Sequence, residues 1–289
     1  MSENILEVRD LCKDFKHFKL NDVAFSLREG YIMGFIGPNG AGKTTTIKAI
    51  LNMIKYEKGE ITVLGLDNIK DEGRLKDQIG IVMTDTYYPW HWTLATIEKV
   101  LSKFYKSWSR EMFFKLLEQF GLNHKTKISH LSRGMKLKLM IATALSHDAK
   151  LLILDEPTAG LDAVARDEFL DLLLDFISDE KRSVLFSTHI TADLEKIADY
   201  ITFIKNGSII YSGEKDALLE KYVLAKGSVG DLPAENKTNI IGYKEHRNYF
   251  DGIISKSNIS IFSESVQFEK PSLDELMVRF YKEGGEVYV

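Results

Sequence analysis

A single cysteine, Cys12, stands among 289 residues. One thiol cannot form a disulfide within the chain, so a cross-linked secreted scaffold is excluded and the expected compartment is reducing. Free cysteine behaves as a small apolar side chain, and Cys12, in an early strand-like stretch, is expected only to pack. Long apolar runs are missing too. The apolar runs present, such as Leu151 to Leu154, fall well short of the roughly 18 consecutive apolar residues that a bilayer-spanning helix needs. The opening MSENILEVRD has no basic segment followed by an apolar core, so no secretory signal is expected. Any role at a membrane therefore runs through a partner. Charge of one sign is scarce as well: 38 Lys and Arg against 42 Asp and Glu give a formal net charge of -4, without long basic or acidic blocks. Nothing in that balance points to nucleic acid. Internal repeats and low-complexity tracts are absent.

What is present is an ordinary globular balance, 44% hydrophobic and 28% charged residues. The chain is long enough for one large α/β domain, with or without a small appendage. Leu6 and Val8, then Val23, Phe25 and Leu27, alternate with polar neighbours as half-buried strands do. Residues 31–36 form a continuous apolar run that ends in glycine. A helix is expected from about Gly42, with Ile47, Ile50, Leu51 and Ile54 at helical spacing, and strands follow at 61–64 and 79–83. Residues 93–147 read as helical. Strands return at 151–154, 183–187, 201–204 and 209–211, with helices at about 163–179 and 190–198. Buried strands alternating with helices imply a largely parallel sheet covered on both faces. After Tyr222 the pattern weakens. Residues 226–237 hold glycines, a proline and charges and read as a linker or loop, and 238–289 as a small α+β extension ending in a helix near 273–281.

Gly37-Pro38-Asn39-Gly40-Ala41-Gly42-Lys43-Thr44 fits the phosphate-loop pattern G-x-x-x-x-G-K-[ST]. Backbone N–H groups must turn inward around phosphates, so glycine is needed where a side chain would intrude. The helix that follows adds unpaired N–H groups and its positive dipole end. Lys43 would reach the β- and γ-phosphates and the Thr44 hydroxyl would ligate Mg²⁺. These eight residues, with Thr45 next to them, are the candidate nucleotide contacts. An apolar strand, residues 151–154, then ends in Asp155 and Glu156. Ligands of open parallel sheets bind beyond the carboxyl ends of the strands. Asp155 can therefore join Thr44 at the magnesium, and Glu156 can orient the attacking water or take its proton.

Together these residues resemble the nucleotide-binding domain of ABC transporters. Leu131-Ser132-Arg133-Gly134-Met135 matches the family's LSGGQ signature in a relaxed form, and Ser132 also suits a helix N-cap. Ala159-Gly160-Leu161-Asp162 looks like the D-loop and Ser187-Thr188-His189 like the switch histidine. Phe15 looks like the aromatic that stacks on adenine, with Phe18 as the other candidate.

The resemblance covers about residues 5–222 and implies a fold: a RecA-like α/β P-loop core, an N-terminal antiparallel β subdomain, and a helical subdomain at about 85–150. Residues 1–222 are then the ATP-binding domain and 223–289 the linker and C-terminal extension. It also implies ATP and Mg²⁺ as cofactors, and Lys43, Glu156 and His189 as catalytic residues. Implied partners are an integral-membrane permease and a second copy or a related ATPase, docked head to tail. Ser132, Gly134 and Asp162 of one copy would then help enclose ATP held by the other. The implied location is cytoplasmic, on the inner face of the plasma membrane.

Two departures stand out. Where the family carries a glutamine after strand 79–83, this chain has Thr84 followed by Asp85, either of which could serve as the magnesium contact. The signature ends in Met135. Residues 87–92, YYPWHW, either border the groove that receives the permease or pack on the helical subdomain. The phrase FSTHITADLEKIAD and the short extension look closest to bacterial exporter ATPases of the antibiotic and cytolytic-peptide branch. Ribosome-acting relatives usually carry two phosphate loops, whereas this chain has one. DNA-repair relatives insert long coiled coils before the signature, and no sustained heptads occur here.

Overall fold

The computed structural model describes residues 4–83, 86–232 and 234–282. Strands and helices are numbered in chain order. The first sheet is antiparallel, in the order β2-β1-β4-β5. It is built from β1 (Asn4–Phe15), β2 (Phe18–Arg28), β4 (Lys58–Val63) and β5 (Leu66–Asp67). Alternation decides which face of β2 is covered: Val23, Phe25 and Leu27 are buried and the residues between them exposed.

The second sheet has six strands in the order β10-β9-β3-β8-β7-β6. These are β3 (Ile32–Ile36), β6 (Ile79–Val82), β7 (Leu151–Asp155), β8 (Ser183–Thr188), β9 (Tyr200–Lys205) and β10 (Ser208–Glu214). Neighbours β3/β8, β8/β7 and β7/β6 run parallel. Every residue of β3, β7 and β8 is buried, as in strands covered on both faces, including the polar Asp155, Ser183, Ser187 and Thr188. Ile36 pairs with Thr188 and Asp155 with Ser187, so the carboxyl ends of these three strands finish level. That register brings the phosphate loop, the two acids and His189 to one edge of the sheet.

Helices α1 (Lys43–Ile50), α2 (Glu72–Lys76) and α6 (Ala163–Ile177) lie between these strands. The region 93–147 resolves into α3 (Leu94–Leu101), α4 (Arg110–Gln119) and α5 (Arg133–Leu145). Thr93, Ser109 and Ser132 cap them, each hydroxyl accepting the N–H three residues on. Leu94, Ile97, Phe113, Leu117 and Leu139 form their shared core. Fully burying a side chain such as Phe113 stabilises by roughly 2–3 kcal/mol. The aromatic stretch divides: Tyr88 and Trp92 pack on this core, while Tyr87 and Trp90 are 70% and 77% exposed.

His147, after α5, is buried, with Nδ1 3.0 Å from Thr143 O, Nε2 3.2 Å from Ile79 O and its ring stacked on Tyr105. Burial holds its pKa below the ordinary 6.5, against the opposing pull of the two carbonyls, Asp77 and Asp148. The unfolded chain therefore takes up a proton near pH 6.5 that the folded chain resists, so stability is lost as pH falls below that value. Urea midpoints of wild type should drop below about pH 6.5 more steeply than those of His147→Gln. Parallel profiles would refute this role for His147.

The described chain divides into two compact units, one of residues 1–189 with 202–209, the other of 190–201 with 210–289. The second unit reaches further back than the expected break after 222. Its helix α7 (Thr191–Ile197) is tied to α9 (Leu273–Lys282) by Thr191 Oγ1 donating to Asp274 and by Leu273 N–H donating to Glu195 at 2.5 Å. The unit also holds α8 (Lys215–Lys221) and a third sheet in the order β12-β13-β11-β14. Its strands are β11 (Tyr222–Ser228), β12 (Ile241–Glu245), β13 (Tyr249–Ser255) and β14 (Gln267–Glu269).

The linker or loop expected at 226–237 is corrected at its start, while 229–231 and 234–239 are short 3-10 turns. Lys226, Gly227 and Ser228 belong to β11, an inner strand paired on both sides. Gly227 reads as a loop signal but is a packing one: a Cβ there would sit 2.9 Å from the Phe250 ring and 3.1 Å from Val266.

Candidate active site

The phosphate loop leaves β3 at Ile36 and enters α1 at Lys43. Gly42 has φ +118°, and a Cβ there would lie 2.7 Å from Leu20 and 2.9 Å from Phe18, so only glycine fits the turn. No side chain caps α1 and its first turn carries no acid. Its leading N–H groups and positive dipole end are therefore available to an anion. Lys43 is 5% exposed, and its ammonium folds back to donate to Gly37 O at 2.6 Å and Pro38 O at 3.2 Å.

The acids of β7 meet this loop. Thr44 Oγ1 donates to Asp155 Oδ2 at 2.8 Å, and Ser187 Oγ donates to Asp155 Oδ1 at 2.6 Å. Glu156 Oε1 lies 3.1 Å from Lys43 Nζ, and Glu156 Oε2 2.7 Å from His189 Nδ1. An ionised carboxylate only accepts, so His189 Nδ1 carries the proton in that contact. Glu156 adopts φ +50°, a left-handed conformation that costs a non-glycine residue about 1–2 kcal/mol. Its N–H, donating to Ser187 O at 3.0 Å, helps fix that turn and swings the carboxylate from the strand edge to Lys43.

Phe15 ends β1, is 43% exposed, and sits 6.5 Å from Phe18 with Lys13 Nζ 5.2 Å from its ring centre. Asn39, Gly40 and Ala41 lie in the phosphate loop and Thr45 follows Thr44 in α1. Ser132 caps α5 by accepting the Met135 N–H at 3.2 Å. Gly134 lies in the first turn of that helix. Asp162 caps α6 through the N–H groups of Ala165 and Val164, which hold its carboxyl below the usual range. Among the described residues, no hydrogen bond joins Ser132, Gly134 or Asp162 to the Lys43–Glu156 cluster. A cavity of about 410 Å³ beside Glu156 is lined by Pro157, Leu161, Arg133 and Lys136, sequence neighbours of these three rather than the three themselves. Thr84 and Asp85 lie outside the described residues.

Residues 20–159 match the family model described as "ABC transporter". The bacitracin transport ATP-binding protein BcrA of Bacillus licheniformis is 32% identical over 86% of this chain and 84% of its own length. This chain belongs to the ATP-binding subunits of ABC transporters. The Nod factor export ATP-binding protein I of Rhizobium johnstonii is 35% identical over 71% of this chain and 67% of its own length. A solved structure described as the ATP binding subunit of an ABC transporter superposes with a TM-score of 0.68. It is 29% identical and covers 74% of this chain and 91% of that one. Its family makes the chain a P-loop ATPase that binds ATP. Among the described residues of this ABC subunit, no helix is long and apolar enough to cross a membrane.

Ser187 is the site residue that sequence reading missed. The sequence sets it only beside His189, yet it holds Asp155 and accepts the Glu156 N–H. The register of β7 on β8 carries that information, and the sequence does not print register. The donor set of this ABC subunit also fits Mg²⁺. Thr44 and Asp155 supply hard oxygens 2.8 Å apart, few enough to leave the remaining positions to phosphate and water. Glu156 Oε1 is buried without a hydrogen bond, an oxygen that a water could satisfy.

Proposed function

We propose that this subunit hydrolyses Mg²⁺-bound ATP to drive export through a separate membrane permease, working as a head-to-tail dimer on the inner face of the plasma membrane. The observation that carries this is the junction of Lys43, Glu156 and His189 beside Thr44 and Asp155. It brings a phosphate ligand, a base and two metal ligands to one strand edge. Lys43 would exchange its loop carbonyls for the β- and γ-phosphates. Thr44 and Asp155 would hold the magnesium, which neutralises charge on those phosphates. Glu156 Oε1 would accept the proton of the attacking water while His189, on Oε2, fixes the carboxylate's orientation. Phe15 would stack on the base. Ser132 and Gly134 of the second copy, with Asp162, would close over the γ-phosphate, so that ATP favours the closed dimer and its products do not.

The ATP-binding domain on this reading is residues 1–222, with the helical subdomain at about 85–150 and the extension at 223–289. Exposed Tyr87 and Trp90 offer aromatic anchors to the permease. Export is supported by the name of the Rhizobium relative, and BcrA is named for bacitracin transport. Affinity purification of the tagged chain from detergent-solubilised membranes should recover one multi-span membrane protein in stoichiometric amount. That protein should raise ATP turnover when reconstituted with the chain. Recovery of the chain alone, in several detergents, would count against a permease partner.

A further inference from the structure

Glu57, just before β4, makes three contacts around the hairpin that carries Phe15. Its backbone N–H donates to Cys12 O at 3.0 Å. Its carboxylate accepts from Lys13 Nζ at 2.7 Å on Oε1 and from Asp14 N–H at 3.0 Å on Oε2. The three residues so held, 12 to 14, are those that lead into Phe15. On the other arm of the hairpin Lys19 pairs with Asp14 at 2.8 Å, and Phe15 pairs across the strands with Phe18. Alternation sets Lys13 and Phe15 on one face of β1. Phe18 and Leu20 reach the phosphate-loop glycine Gly42. One arm of the hairpin, Phe18 to Leu20, therefore leans on the phosphate loop and the other, Cys12 to Asp14, is held by Glu57, with the half-exposed Phe15 at the turn. Lys13 is not a solvated surface lysine: its side chain is 16% exposed, drawn down over the ring and the Glu57 carboxylate.

We propose that Glu57 is a positioning residue for nucleotide binding, holding Lys13 and the Asp14 backbone so that Phe15 stands ready as the platform for the base. This rests on the reading of Phe15 as the stacking residue. A stacking surface fixed before the ligand arrives loses less conformational freedom on binding than one that must be ordered. The Glu57 carboxyl is held below its usual range, chiefly by the Lys13 ammonium and then by the Asp14 N–H. The clamp therefore stays charged at neutral pH.

The test compares two ligands on the full chain: ATP, and inorganic tripolyphosphate, which has the phosphates and no base. Glu57→Ala should raise the Kd for ATP about three- to tenfold, the scale of one hydrogen bond, and leave tripolyphosphate unchanged. The KM for ATP should rise with kcat held. Lys13→Met, which keeps the apolar stem, should move the ATP Kd in the same direction by about two- to fivefold and covers the case in which Glu57→Ala does not fold. Phe15→Ala should weaken ATP about tenfold or more and again spare tripolyphosphate. Equal weakening of both ligands by Glu57→Ala would mean general damage to the phosphate loop and would overturn the proposal. So would unchanged ATP affinity in both Glu57→Ala and Lys13→Met while Phe15→Ala weakens it. Unchanged ATP affinity in Phe15→Ala would instead sink the stacking role, and the clamp's purpose with it.

Discussion

Glu156→Gln should lower steady-state ATP turnover by about 10²–10³-fold while leaving ATP affinity within a few-fold of wild type. The substitution keeps the size of the side chain and removes one negative charge. The amide can still accept the His189 N–H, so its seat beside β8 survives. What it loses is an oxygen basic enough to take a proton from water. The ion pair with Lys43, 3.1 Å long in a site where the two side chains are 5% and 15% exposed, disappears as well. That frees Lys43 for phosphate, so affinity should hold or rise. His189→Ala tests the same arrangement from the other side. It keeps the base and removes its support, and should cost about tenfold in kcat with little change in KM. Single-turnover hydrolysis and equilibrium binding separate the two quantities. A Glu156→Gln chain that hydrolyses ATP at the wild-type rate would remove Glu156 as the base. In that case its left-handed backbone, φ +50°, would need another explanation.

Much of this site could be read in the sequence because its chemistry is local. The phosphate loop is one contiguous segment between an apolar strand and a helix, and both ends are visible as changes of period. The acids at 155 and 156 are equally plain, since an apolar run that stops in two carboxylates can only place them at a strand's end. What stayed hidden depends on which strands become neighbours. Ser187 earns its position from facing Asp155 across β7 and β8, and the contact of Glu57 with Lys13 spans 44 positions in the chain. Neither leaves a mark within a window of ten or so residues. The C-terminal region misled for a different reason. Gly227 carries the composition of a turn, yet β11 needs it because the Phe250 ring occupies the space above it. Composition reports the residue and not the neighbour that selected it. The same holds for α7, which the alternation of strands and helices reads as one more layer of the core. Its contacts with α9 group it with the extension.

Lys43→Ala should weaken ATP binding by about 100-fold or more, since removing one member of a buried hydrogen-bonded charge pair costs about 2–5 kcal/mol and tenfold is about 1.4 kcal/mol. The structure adds a second expectation. In the structure Lys43 is bound to Gly37 O, Pro38 O and the Glu156 carboxylate. Deleting it leaves a largely buried carboxylate with only His189 beside it and two carbonyls without their donor. The ligand-free chain should therefore lose about 1–3 kcal/mol of stability, readable as a lower urea midpoint. The double variant Lys43→Ala/Glu156→Gln removes the stranded charge along with the lysine. It should recover a good part of that stability and none of the ATP affinity. Such a split follows from two neighbouring groups that couple in the resting protein and act separately on the ligand. Retained ATP affinity in Lys43→Ala would refute the phosphate role. Additive losses of stability in the double variant would show that the 3.1 Å contact with Glu156 contributes nothing to the resting fold.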